Sequence, residues 1–289
     1  MLERFRKAQN AAVARLVEQD AAKNFPSPLR GARPDFSAAL RKAGPGAVIA
    51  EYKRASPSLG LINAKLEPED VAQAYATAGA ACISVLTEEA HFQGSLAFID
   101  RMQASGLPLL RKDFLVHPLQ LRESAATAAS AVLLIARMLD DVIYPAMLRE
   151  AARHRLACVL EVFDKRDLER TRMALKAAGA AKGEAEQPET LIQVNNRNLD
   201  TLEVSDAPAK TLIRHKMPGE LWIYASGIST SEQIQERVDM GFDALLIGSF
   251  LTKTGNPAKA LANLLAGPPS NLQVGPLSEL PGKNMERQP

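Results

Sequence analysis

A (β/α)8 barrel with an N-terminal helical extension is the α/β fold that this 289-residue sequence predicts. Three observations carry the prediction. Eight short apolar, β-branched runs recur along the chain, helical patterns lie between them, and the runs are spaced by roughly 28 residues, room for one strand, one helix and two loops. Right-handed crossovers place every helix outside such a sheet, so eight parallel strands close on themselves as a TIM barrel. A doubly wound open sheet is disfavoured, because no glycine fingerprint follows the first run.

Residues 1–46 form the helical extension. Leu2, Phe5, Val13, Leu16 and Val17 recur at helical spacing among Arg4, Lys7, Arg15 and Glu18, the pattern of an amphipathic helix. The connector 24–35 contains Pro26, Pro28 and Pro34 and reads as irregular. The barrel spans 47–266, with strands expected at 47–52, 82–86, 107–110, 131–135, 157–162, 191–194, 221–225 and 244–247. Helical patterns fall at 69–78, 96–105, 120–128, 146–154, 168–178 and 231–240. Residues 267–289 carry five prolines without apolar periodicity and read as a disordered C-terminal tail.

Composition narrows the function classes. Hydrophobic residues make up 46% and charged residues 24%, as in a globular chain. Thirty-five Lys and Arg against 33 Asp and Glu leave a net charge of +2, without the basic excess of a nucleic-acid binder. No apolar stretch approaches the roughly 18 residues of a membrane span, and the N-terminus lacks a signal-peptide core, so a cytoplasmic protein without a membrane partner is expected. Cys82 and Cys158 lie inside apolar runs and read as core. None of the four histidines ends a run, which disfavours a metal site. Trp222, inside the seventh run, reads as outer-layer packing.

In a barrel the chemistry gathers at the C-terminal ends of the strands. Side chains two apart share a face of a strand, so Glu51 and Lys53 follow Ile49 inward at the end of the first strand. By the same alternation Lys112 follows Leu110, Glu161 follows Val159, and Asn195 and Arg197 share a face at the sixth strand. A glutamate inside Val-Leu-Glu-Val needs a reason, because an unpaired buried carboxylate is costly. It serves either a structural salt bridge to a strand-end lysine or catalysis. Desolvation would raise the glutamate pKa towards that of a useful base, and a nearby lysine supplies an acid, so acid–base work on carbon needs no metal here. Ser226-Gly227 and Gly248-Ser249 end the seventh and eighth strands, where glycine turns in this architecture hold phosphate.

The segments Glu51-Tyr52-Lys53-Arg54-Ala55-Ser56-Pro57-Ser58, Phe92-Gln93-Gly94-Ser95, Leu110-Arg111-Lys112-Asp113-Phe114, Leu160-Glu161-Val162 and Asn195-Asn196-Arg197-Asn198-Leu199 resemble indole-3-glycerol-phosphate synthase, in order and to about Leu265. The resemblance implies a carboxy-lyase of tryptophan biosynthesis that closes the indole ring of 1-(2-carboxyphenylamino)-1-deoxyribulose 5-phosphate without a cofactor. It implies Lys112 as general acid, Glu161 as base, Lys53 as anion holder and proton-transfer aid, and Glu51, Asn195 and Ser226 as members of the catalytic set. Ser56 and Arg197 would face the anthranilate carboxylate, Phe92 would pack on the aromatic part, and Gly227, Gly248 and Ser249 would shape the phosphate end. The implied partner is this small-molecule substrate; association with other enzymes of the pathway is not readable from sequence.

Two positions depart from the resemblance. Ala225 stands where the family usually has a glutamate, and Gln193 where it usually has a glycine. Alternation turns Gln193 inward, where its amide needs partners or destabilises the core. The alternative reading of this pair is a catalytically weakened barrel that binds sugar phosphate or serves as a partner subunit.

Overall fold

The computed structural model describes residues 2–56, 60–62, 66–180, 190–198 and 201–267; the tail expected beyond Gly267 lies outside them. Eight parallel strands form a closed barrel: β1 (Ala47–Tyr52), β2 (Cys82–Leu86), β3 (Leu109–Lys112), β4 (Ala131–Ile135), β5 (Ala157–Val162), β6 (Leu191–Asn195), β7 (Leu221–Ala225) and β8 (Ala244–Ile247). Neighbours in sequence are neighbours in the sheet, and Ile49 of β1 closes the ring between Cys82 of β2 and Leu246 of β8.

Strand alternation sorts the apolar residues into two clusters. Ile49, Cys82, Leu110, Leu133, Val159, Leu191, Ile223 and Leu246 fill the barrel interior, while Val48, Ile83, Val132, Leu160, Ile192, Trp222 and Leu245 face the surrounding helices. Both cysteines are free and buried, one in each cluster. Trp222 takes its expected outer place, with its indole N–H donating to Glu220 at 2.8 Å.

The third strand begins two residues later than the expected 107–110. Pro108 has no N–H for a ladder, though its carbonyl accepts from the Ile83 amide at 3.0 Å. The strand continues instead through Arg111, whose outward side chain donates to Ser124 at 2.9 Å and pairs with Glu123.

The N-terminal extension contains two helices, α1 (Leu2–Ala21) and α2 (Phe36–Ala43). Helix α2 was not expected from periodicity; Asp35 caps it by accepting from the Ala38 amide, and Phe36 and Leu40 join the interior cluster, plugging the end where β1 starts. In α1, Phe5 and Leu16 are buried as expected, whereas Val17 is 47% exposed. The reason is that α1 docks largely through polar groups. Buried Gln9 donates to Asp113 at 3.0 Å and accepts from Gln120 at 2.6 Å, and Arg6 donates to the Met138 carbonyl.

Around the barrel the longer helices are Pro68–Thr77, Pro118–Ala125, Ile143–Arg153, Lys165–Ala180, Ser231–Asp239 and Pro257–Leu265. Their starts follow cap chemistry: Thr230 with Gln233 and His117 with Gln120 form capping boxes, and Asn256 caps ahead of Pro257.

Candidate active site

The strand ends on one side of the barrel open into a cavity of about 420 Å³, within the range of small-molecule sites. Glu51, Lys53, Ser56, Phe92, Lys112, Glu161, Asn195, Arg197, Ser226, Gly227, Gly248 and Ser249 all line it. Residues spread over nearly 200 positions of sequence therefore meet at one rim, as the strand-end reading requires.

Glu51 is the charge centre of one wall. It is 3% exposed, and its two oxygens accept from two ammonium groups, Oε2 from Lys112 Nζ at 2.6 Å and Oε1 from Lys53 Nζ at 2.7 Å. Burial raises its pKa, but the charges and hydrogen bonds of Lys112 and Lys53 outweigh burial and hold it at about 2. Burial does not lift this carboxylate on balance, because its side chain is fully ion-paired. Lys53 Nζ also donates to Ser249 Oγ at 2.9 Å, tying β1 to the turn after β8. Gly248 fits the same wall: a Cβ there would overlap Glu51 Oε1, so the carboxylate occupies space that only glycine leaves.

Across the cavity, Glu161 has the opposite balance. It is 2% exposed and, among the described residues, has no ion-pair partner, so the structural salt bridge that would have explained it is absent. Burial raises its pKa, the Lys112 charge and the amides of Gln193 and Asn195 oppose this, and the Glu51 charge pushes it further up. The Gln193 amide finds the partner it needs in this carboxylate, donating from Nε2 to Oε2 at 2.5 Å. Ala225, beside Asn195 in register, is buried in the interior cluster.

Asn195 Oδ1 accepts from Ser226 Oγ and from the Arg197 amide, both at 3.0 Å, which fixes the ends of β6 and β7 together. Ser226 holds a left-handed backbone with φ of 79°, followed by Gly227 at 89°. For serine that conformation is strained, and the hydrogen bond to Asn195 helps hold it there. The Arg197 guanidinium donates to the Leu202 carbonyl at 2.9 Å, bracing the loop that borders the cavity.

The apolar wall was only partly visible in sequence. Phe92 is there as expected, placed by a short turn in which buried Glu88 accepts from the His91 and Phe92 amides at 2.7 and 3.1 Å. Gly94 completes that turn; a Cβ would stand 2.5 Å from the Leu86 carbonyl oxygen. Phe5 and Phe114 also line the cavity, though neither was expected there from the sequence. They stack at 3.9 Å between centroids and 11° between planes, and each lies 6.2 Å from Phe92. The adjacency of Phe114 to Lys112 was a usable signal for it; nothing local in the sequence ties Phe5, 109 residues earlier, to the same wall.

Comparison with known proteins bears on the family and on the fold. The family model for indole-3-glycerol phosphate synthase matches residues 2–264. The chain is 42% identical over 235 residues to the indole-3-glycerol phosphate synthase of Polaromonas naphthalenivorans, covering 80% of this chain and 84% of that one. It is 37% identical over 262 residues to the protein of that name from Chromobacterium violaceum, covering 89% and 94%. Among solved structures, 3-hexulose-6-phosphate synthase from Salmonella typhimurium superposes with a TM-score of 0.56 at 14% identity, covering 76% of this chain and 98% of that one. A mutant tryptophan synthase alpha-subunit from Pyrococcus furiosus gives 0.55 at 12%, covering 77% and 99%. These structural likenesses speak to the barrel alone. The sequence matches speak to kinship, and by them the chain belongs to the indole-3-glycerol phosphate synthase family.

Proposed function

We propose that this chain works in the cytoplasm on 1-(2-carboxyphenylamino)-1-deoxyribulose 5-phosphate, with Lys112 as general acid and Glu161 as general base. Family membership gives the reaction class, a decarboxylative ring closure in tryptophan biosynthesis. The proposal concerns which side chains of this cavity perform it.

In the first step the aromatic carbon that carries the carboxylate attacks the ketose carbonyl carbon. The carbonyl π pair moves to oxygen, which takes a proton from Lys112. Carbon dioxide then leaves, its bonding pair restores the aromatic ring, and a hydroxylated five-membered ring remains. In the second step Glu161 takes a proton from the neighbouring ring carbon while the hydroxyl, protonated by Lys53, departs as water, and the indole ring results, still bearing the glycerol phosphate chain. Proton transfer of this kind contributes about 10²–10⁴-fold each to rate. Glu51 keeps both ammonium groups oriented, and the Asn195–Ser226 pair orients substrate hydroxyls. Phe5, Phe92 and Phe114 supply the apolar face for the anthranilate ring, with Ser56 and Arg197 facing its carboxylate. The glycine turns at Gly227 and at Gly248-Ser249 take the phosphate.

One observation carries the assignment: an acid and a base need different electrostatics in one cavity, and Lys112 stands in an ion-paired wall opposite a buried carboxyl that has amide partners but no ion pair and whose pKa burial raises. The test is a fluorescence assay of indole formation with the purified chain and no added metal. Product should form with the wild type, and Lys112→Ala should lose most of the rate; near-normal turnover in that variant refutes the role of Lys112.

A further inference from the structure

Gln193 is fully buried on β6, in register with Glu161 on β5. Its Nε2 donates to Glu161 Oε2 at 2.5 Å, yet its Oε1 has no hydrogen-bond partner although it is sealed from solvent. A buried acceptor left unpaired is costly, and such atoms are rare enough that each needs a reason. The surroundings offer no other donor by register: Ile223 lies on the far side of Gln193, and Ile135 on the far side of Glu161.

The missing donor is one that a carboxylate cannot supply and a carboxylic acid can. A primary amide and a neutral acid pair through two hydrogen bonds in one ring, N–H to the carbonyl oxygen and O–H to the amide oxygen. We propose that Gln193 is a positioning residue for Glu161: its amide closes this two-bond pair when Glu161 is protonated, and so holds the proton that Glu161 takes from the substrate. The inference rests on the assignment of Glu161 as the base.

The proton balance is simple. The ring carbon gives up H⁺, its bonding pair joins the new double bond, Glu161 Oε1 gains the proton, and that O–H turns to Gln193 Oε1 while Nε2–H stays on Oε2. The acid then returns the proton to water before the next turnover. The bond from Nε2 to the ionised carboxylate taken alone pulls the acid down. A charge-assisted hydrogen bond is roughly twice as strong as a neutral one, so one bond to the anion and two to the neutral acid nearly cancel. The orphaned oxygen, present only with the anion, then tips the balance to the neutral form. The other groups acting on Glu161 are Lys112 on β3, itself paired with Glu51 on β1, and, on the adjoining strand β6, the Asn195 amide.

The full chain, labelled with carboxyl-¹³C glutamate and free of substrate, tests this by NMR titration, with Glu161→Gln to assign the resonance. In Gln193→Met, which keeps the volume and removes both amide atoms, the Glu161 pKa should fall by about one unit, and the acidic limb of kcat should move with it. In Gln193→Glu, where two carboxyl groups share a proton, it should rise. An unchanged or raised Glu161 pKa in Gln193→Met overturns the proposal. In the wild type, which needs no variant to fold, the Gln193 side-chain amide resonances should shift with the Glu161 titration; indifference overturns it equally. A lowered pKa with an unmoved kinetic limb overturns the proton-holding role through its premise, since Glu161 would then pair with Gln193 without being the base.

Discussion

Glu51 and Glu161 stand on facing walls of one cavity, 3% and 2% exposed, and titrate in opposite directions. Burial acts on both with the same sign. What differs is the neighbour list: Glu51 accepts from two ammonium groups and is held at about 2, whereas Glu161 accepts from amides and is raised. Burial alone therefore does not say whether a carboxyl is an anchor or a base. The count of charges in direct contact does, and that count is set by which strands end in lysine.

The contrast breaks most completely at Lys112, the cation that acts on both carboxylates. Lys112→Ala should cost about 10³-fold in kcat/KM, on the order of 4 kcal/mol of transition-state stabilisation, and should let the Glu51 pKa climb; both are measurable on one preparation.

The next effect is on stability. A carboxylate whose folded pKa lies below its unfolded value stabilises the fold above the unfolded pKa, and that contribution disappears as pH falls. For Glu51 the window runs from about 4.5 down to about 2, and the contribution is on the order of 3 kcal/mol. Glu161 has the reverse sign: its raised folded pKa favours folding at low pH, and the advantage is lost as pH rises through that value. Urea unfolding followed from pH 6 to pH 2 should show a steep acid loss in the wild type and a shallower one in Glu51→Gln. Glu161→Gln should leave the acid loss in place and raise stability near neutrality.

A smaller change reaches Glu51 without touching its chemistry. Gly248→Ala puts a methyl group where Oε1 sits, so the carboxylate must swing away from Lys53. We expect about a 10-fold fall in kcat together with a lowered melting temperature, because part of the Glu51 ion pairing is lost with the displaced carboxylate, read by steady-state kinetics and calorimetry. The smallest effect is on the apolar wall. Gln9→Leu removes the bonds that dock α1 onto Asp113 and Gln120, loosening Phe5. KM should rise a few-fold, about 1 kcal/mol, with kcat nearly constant; an equal fall in kcat would count against a purely binding wall.

Much of this arrangement was legible in the sequence for a local reason. β1, β2, β4, β5, β7 and β8 run between the residues expected, because a buried parallel strand is a compact apolar run bounded by turn residues, and periodicity reads such runs well. The polar ends of those runs then gave the polar lining of the cavity directly. Reading failed where the determinant lay elsewhere in the chain. β3 was displaced by a proline's missing N–H, α2 is short and held by a cap and by the barrel interior, and the Ala207–Leu212 and Ser249–Lys253 helices are too brief to show a period. Phe5 became a cavity residue through tertiary docking that no local pattern encodes. Gln193 was legible as an inward amide in need of a partner; that the partner is Glu161 depended on register between β5 and β6.

The docking of α1 has a consequence for the order in which the molecule is made. Its bonds to Asp113, Gln120 and Met138 span 104, 111 and 132 residues of chain. Helix α1 thus has no seat until more than a hundred further residues have been made. Closing so long a loop carries an entropic cost before any contact rewards it. Phe5 can accordingly reach Phe114 only once β3 has been made, and the opposite wall of the cavity waits longer still, for Ser249, 196 residues beyond Lys53.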